Sequence, residues 1–259
     1  MPAEQKKIAK MTSKYFYLLL ISTLTYNLSF AQIITDRPDQ TESSFTVGAG
    51  NLQIETGFGF AYEGADASVS QLLTPSSLFR YGICEKVELR LLTQIETLKI
   101  GDQNVTGMSD FEIGTKISLF SATETKPFDV AFLSHLRVPR GSSELSYYPK
   151  FGSINKLAIS HDINSELSIG YNVGYNYFGE NNGDFTYSVA LGAGVNDRVG
   201  IYIEPYGEWV DFEDFKSNID AGFTYLVNKD LQLDFSFGTG LNHRMNYTSI
   251  GCSWLIHQN

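Results

Sequence analysis

The sequence predicts an all-β fold: a transmembrane, antiparallel, up-and-down β-barrel of about twelve strands that follows a cleaved signal peptide. Three observations point there. Apolar and polar residues alternate with period two from Leu52 to the end of the chain. The connections between these runs alternate between short turns and longer polar segments. Aromatic residues gather near the predicted strand ends, at Tyr62, Tyr81, Tyr177, Phe178, Trp209 and Trp254.

The chain opens with a basic stretch (Lys6, Lys7, Lys10, Lys14), then a mostly apolar run from Tyr15 to Leu28. The run ends in Ser29-Phe30-Ala31, with small residues at the −3 and −1 positions. This is the pattern of a secretory signal peptide, so residues 1–31 are expected to be removed, and Met11 is an alternative start. The run is interrupted by Ser22, Thr23, Thr25 and Asn27 and is short for a membrane helix. The whole chain carries a net charge of −10. Removing the leader takes away four lysines and one glutamate, which leaves it more acidic still. Such a chain lacks the basic patches that nucleic acid requires. Cys84 and Cys252 are too few and too far apart for a disulfide framework.

The strands follow in order. Leu52, Ile54, Thr56, Phe58, Phe60 and Tyr62 share one face, with Gln53, Glu55, Gly57 and Gly59 on the other. The residues from Val87 to Glu96, Phe111 to Leu119 and Phe128 to Val138 repeat the pattern. So do Leu167 to Tyr177, Phe185 to Leu191, Val199 to Glu208, Ile219 to Tyr225, Leu231 to Gly238 and Ile250 to Ile256. Two weaker runs, Leu72 to Tyr81 and Ser153 to Ser160, fill the gaps that pairing requires. Each strand thus has an apolar face and a wet face.

Short polar turns are expected near Gly82–Lys86, Asp162–Ser165, Asn196–Arg198 and Asn228–Asp230, with a somewhat longer one at Ser121–Pro127. Longer loops are expected at Glu63–Ser70, Lys99–Gly107, Arg140–Pro149, Gly179–Asp184, Asp211–Ser217 and Thr239–Met245. Short turns at one end and longer loops at the other are the habit of membrane barrels, and this places both termini in the periplasm. A soluble β-sandwich also uses one-faced strands. It would have to absorb Phe, Tyr and Ile from nearly every strand into one core, while the glycine- and charge-rich opposite face suits a narrow lumen. Half of each strand's residues facing a wet interior also explains why no window of the chain has the hydropathy of a membrane helix.

No catalytic cluster, metal-ligand spacing or cofactor motif stands out. His135, His161, His243 and His257 are scattered, and Ser134 and His135 are neighbours on a strand and so point to opposite faces. The predicted lumen holds charge of both signs: Glu55, Glu88, Arg90, Glu96, Glu112, Lys116, Arg137, Glu204, Glu208, Asp220 and Asp234. These side chains either fill the barrel as salt bridges or line a polar path that selects what passes.

The stretch before the first strand is the most distinctive. Thr35-Asp36-Arg37-Pro38-Asp39, Thr41-Glu42, Thr46-Val47 and the Gly50-x-x-Gln53-x-Glu55 pattern resemble the opening of an outer-membrane transporter-like β-barrel family associated with the meta-pathway of phenol degradation. Val138-Pro139-Arg140-Gly141 and Glu204-Pro205-Tyr206-Gly207 are similar to its later landmarks. The resemblance implies a barrel in the outer membrane of a Gram-negative cell envelope and a link to aromatic compounds.

The expected layout is a signal peptide (1–31), a periplasmic N-terminal segment (32–50) and the barrel (51–259). Its expected partners are outer-membrane lipid, an unidentified small solute and the barrel-assembly machinery. Too charged for lipid, the segment is expected either to hang free or to fold into the lumen as a plug. In the plug reading Asp36, Arg37, Asp39 and Glu42 meet Arg90, Lys116, Arg137 and the inward glutamates. The chain then reads as a narrow channel for small, aromatic or hydrophobic molecules. The alternatives are a non-transporting surface barrel with a closed lumen and, further off, a lipid-modifying enzyme.

Overall fold

A computed structural model describes residues 33–64, 69–139, 150–179 and 181–257. The expected signal peptide, the whole of the expected 140–149 loop and parts of the expected Glu63–Ser70 and Gly179–Asp184 loops lie outside them. Twelve antiparallel strands form the wall: β1 (Leu52–Glu63), β2 (Val69–Cys84), β3 (Val87–Ile100), β4 (Gln103–Phe120), β5 (Asp129–Arg137) and β6 (Gly152–Asp162) come first. They are followed by β7 (Leu167–Tyr177), β8 (Asp184–Asn196), β9 (Val199–Val210), β10 (Asp214–Asn228), β11 (Leu231–Gly240) and β12 (Met245–Ile256). Each strand pairs with its neighbours in sequence, and β12 returns to β1, so the sheet closes. The closing seam is continuous, from Leu52 opposite Ile256 to Glu63 opposite Met245. Closure leaves no strand edge, and without it the backbone N–H and C=O groups of an edge would stand unpaired in lipid.

The packing is inverted relative to a water-soluble domain. Phe58, Ile113, Phe223, Phe237 and Ile250 are exposed on the outside, while Glu55, Arg80, Glu88, Lys116 and Glu204 are enclosed. The sequence alternation therefore marks which residues face lipid. Tyr81 and Trp254 ring the end that carries both termini, and Tyr62, Tyr177 and Trp209 ring the other, with their side chains outward.

The turns at the terminal end owe their tightness to asparagine. Asn164 Oδ1 accepts hydrogen bonds from the backbone N–H of Glu166 and Leu167, both at 2.8 Å. Asn196 does the same for Arg198 and Val199, and Asn228 for Asp230. A side-chain oxygen that stands in for a backbone acceptor stabilises a reversal of this kind.

Two expected loops prove to be strand. The ladder of β3 and β4 runs on through Ile100 opposite Gln103, so only residues 101 and 102 turn. The ladder of β9 and β10 continues to Val210 opposite Asp214. Polar side chains do not end a strand that has left the lipid, because the hydrogen-bonded ladder holds it together whatever its sides face. The difference in loop length between the two ends is correspondingly smaller than the sequence suggests. The weak second strand is also longer than expected. Its register shifts between Leu73 and Ser76, at Thr74-Pro75, and that slip hides the alternation.

Candidate functional site

Residues 33–50 do not hang free. They enter the lumen, cross it as a loop and return to β1. The crossing is fixed at one side by the Asp36 N–H, which donates to Glu55 (3.0 Å). On the far side the Gln40 N–H donates to Glu204 (2.7 Å), and the Thr41 hydroxyl bonds Ser188 (2.7 Å) and Glu204. Asn172 holds both backbone groups of Glu42, accepting from its N–H (2.7 Å) and donating to its C=O (3.0 Å). The returning limb is tied by Ser44 to Ser160, and by the Val47 N–H to Glu88 (2.9 Å). The loop is closed on itself where the Ser43 N–H donates to Asp36 Oδ1 (2.7 Å).

The centre of the anchorage is a buried ion cluster on β2–β4. Asp36 lies 2.6 Å from Arg90, 2.8 Å from Lys116 and 3.4 Å from Arg80. Glu42 reaches Arg90 at 2.7 Å and Lys116 at 3.7 Å. Arg80 also bridges Glu55 and Glu88, each at 2.9 Å, and Arg90 meets Glu88 at the same distance. Charges this far from water persist only with such close partners. Burial by itself would raise the Asp36 carboxyl, but Arg80, Lys116 and Arg90 outweigh it and hold Asp36 well below the usual carboxylate range.

Arg37 turns the other way. Its guanidinium pairs with Asp234 on β11 (2.9 Å) and donates to Ser249 on β12 (3.0 Å). It lies over Gly57 and Gly251, which face each other across the β1–β12 seam. A Cβ at Gly251 would stand 2.5 Å from Arg37 Nη2, and one at Gly57 closer still, so both glycines make the floor on which the arginine rests.

Asp39 has no ion pair among the described residues. Burial pushes its carboxyl well above the usual range, and Glu204 and Asp220 push the same way, since they add like charge. Glu204 and Asp220 are register partners on β9 and β10, both enclosed. Tyr247 donates to Asp220 Oδ2 (2.5 Å), and Asp220 lies within hydrogen-bonding reach of Glu204, an arrangement that needs a proton on one of the two carboxyls.

Thus Asp36, Glu42, Glu55, Glu88, Arg90 and Lys116 come together, Arg37 and Asp39 reach other walls, and Glu204 anchors the far side. Three expected site residues stand apart from the segment. Arg137 is engaged by Asp110 (2.8 Å) and lies over the Phe178 ring, so its expected contact with the segment is not formed. Glu112 is bonded to His135 Nδ1 (2.7 Å), and Glu208 faces inward opposite Lys216. Arg90 Nε–H donates to His135 Nε2 (2.9 Å), so that nitrogen is an acceptor and Nδ1–H donates to Glu112. Sequence reasoning missed Arg80, whose strand is masked by its bulge. Counting back from Ile83, Tyr81 and Phe79 as outward residues would have turned Arg80 inward. Ser134 and His135 do face opposite ways: Ser134 bonds Asn155 (2.8 Å) on the outer face.

The clamp on β2–β4 leaves space on the other side. A cavity of about 620 Å³ lies between the segment and the terminal end of the β6–β10 wall, on the terminal side of the bonds to Asn172, Ser188 and Glu204. The wall there is made of small residues, including Gly170, Ala190, Gly192, Gly194 and Gly200, and the cavity reaches the turn after β6 at Asn164 and Glu166.

A protein-family description, "Putative MetA-pathway of phenol degradation", matches residues 35–251. The chain belongs to this family. The match begins at Thr35, so in this member of the phenol-degradation family the segment inside the lumen is part of the shared pattern. An outer membrane channel from Pseudomonas putida F1 superimposes with a TM-score of 0.67 at 9% identity, covering 82% of this chain and 98% of that one. The KdgM porin in complex with disordered oligogalacturonate gives 0.52 at 11% identity, covering 79% and 99%. At such identity the likeness concerns the fold, that of outer-membrane barrels. No curated protein sequence matches this family member.

Proposed function

We propose that this barrel sits in the outer membrane with both termini on the periplasmic side. It passes small solutes along the β6–β10 wall, with residues 33–50 as a built-in constriction. One observation carries the reading: the segment is clamped to β2–β4 by buried ion pairs and tied to β6–β9 by hydrogen bonds, and a cavity of about 620 Å³ opens between it and the terminal end of the β6–β10 wall. A segment meant only to fill the barrel would leave no such space. Small wall residues keep that side wide. The family's link to phenol degradation supports small aromatic compounds as the solute class, and Tyr202 and Phe45 supply the aromatic surface in the cavity.

Planar-bilayer recordings test this. The purified protein should give small, stable currents, and a form lacking residues 33–46 should give larger ones. The enclosed ion network favours a second reading, a closed barrel with a structural or binding role. A flat trace from both proteins, with the barrel folded, would establish that reading instead.

A further inference from the structure

The segment changes the charge of the lumen as well as its width. The cations of the β2–β4 wall, Arg80, Arg90 and Lys116, are all enclosed, and two of the four carboxylates that neutralise them, Asp36 and Glu42, are brought by the segment. Without the segment these three cations would keep Glu55 and Glu88 as their direct ion-pair partners, with inward Glu96 and Glu112 further along β3 and β4. With it, the cations are cancelled and shut away from the remaining space.

The open side has the opposite sign. Among the described residues that line the cavity, Arg37 is the one cation, and Asp234 already holds it. Of the acidic lining residues Glu42 is paired with Arg90, whereas Asp39, Asp162 and Glu166 have no ion pair among the described residues. Behind them stand Glu204 and Asp220, two enclosed carboxyls that share a hydrogen bond, with Lys156 of β6 close enough to act on Glu204. Lining carboxylates without a cation of their own attract a cation or a hydrogen-bond donor and repel an anion.

We infer that this barrel selects by charge: cations and neutral hydrogen-bond donors pass along the β6–β10 wall in preference to anions, and the segment supports that preference by cancelling the Arg80, Arg90 and Lys116 cluster. For the solute class this means neutral phenol-like molecules in preference to carboxylates. The inference rests on the channel reading above.

Reversal potentials of the full-length protein in a potassium chloride gradient test it. The potassium-to-chloride permeability ratio should lie several-fold above one at low salt and shrink as salt screens the wall. Asp162→Asn combined with Glu166→Gln, both exposed near the cavity mouth, should lower the ratio with the barrel intact. Asp36→Asn with Glu42→Gln should move it toward chloride. A ratio at or below one, or a ratio unmoved by the Asp162 and Glu166 pair, overturns the inference and leaves the channel reading standing. No current from the folded protein overturns both.

Discussion

The seating of the segment depends on one carboxylate more than on any other, and Asp36→Asn isolates it. The substitution keeps the size of the side chain and much of its hydrogen bonding but removes a charge that sits 2.6 to 3.4 Å from three buried cations. Removing one member of a buried ion cluster costs about 3–5 kcal/mol, because the partners remain buried without compensation. At the lower bound the unseated population should rise about 150-fold.

Ser44 reports that population, since it is only 2% exposed and bonded to Ser160. With Cys84 and Cys252 replaced by serine, a Ser44→Cys protein should react with a thiol reagent slowly. Adding Asp36→Asn should speed the reaction by about two orders of magnitude if labelling follows opening. Glu42→Gln should have a smaller effect, because that side chain is less enclosed. Gel mobility before and after boiling verifies that the barrel itself is intact. An unchanged labelling rate in a folded Asp36→Asn barrel would refute the idea that the ion cluster holds the segment.

Three further outcomes are expected. Gly251→Leu places atoms where the Arg37 guanidinium lies, so it should raise Ser44→Cys labelling, and Arg37→Ala should abolish most of that added effect in a double-mutant cycle. Labelling should also depend on pH in two directions. Asp39 is held above its usual value, so its contribution to seating is present at low pH and is lost as pH rises through the raised value. Asp36 is held below its usual value, so its contribution is present above the ordinary carboxylate range and is lost as pH falls through the depressed value. Acidifying from neutral should therefore first slow labelling and then, under strong acid, accelerate it, each rate being taken relative to a free thiol at the same pH because the thiolate is the reacting form. A monotonic profile would contradict the opposed shifts. On the outer face, Ile113→Arg exposes a charge to lipid and should cost about 2–4 kcal/mol if that part of β4 lies near the bilayer centre, read as a lower denaturant midpoint in lipid vesicles.

The sequence by itself determined the barrel. A side chain on a strand faces one of two ways, so Leu52 to Tyr62 or Leu231 to Phe237 needed only their alternation to show which face meets lipid. It also brought out the charged stretch from Asp36 to Glu42 as too polar for the membrane and matched in sign to the lumen. What it could not decide was partnership. Arg37 was expected beside inward glutamates and instead rests on Gly57 and Gly251 against Asp234, 197 positions away. Arg80 vanished behind a slip in register, and Arg137 was already taken by Asp110 on the adjoining strand. Alternation is a local property of the backbone and survives any arrangement of the other strands. The pairing of charges across a lumen depends on the stagger of twelve strands and on the path of a segment that belongs to none of them, and only the closed barrel fixes both.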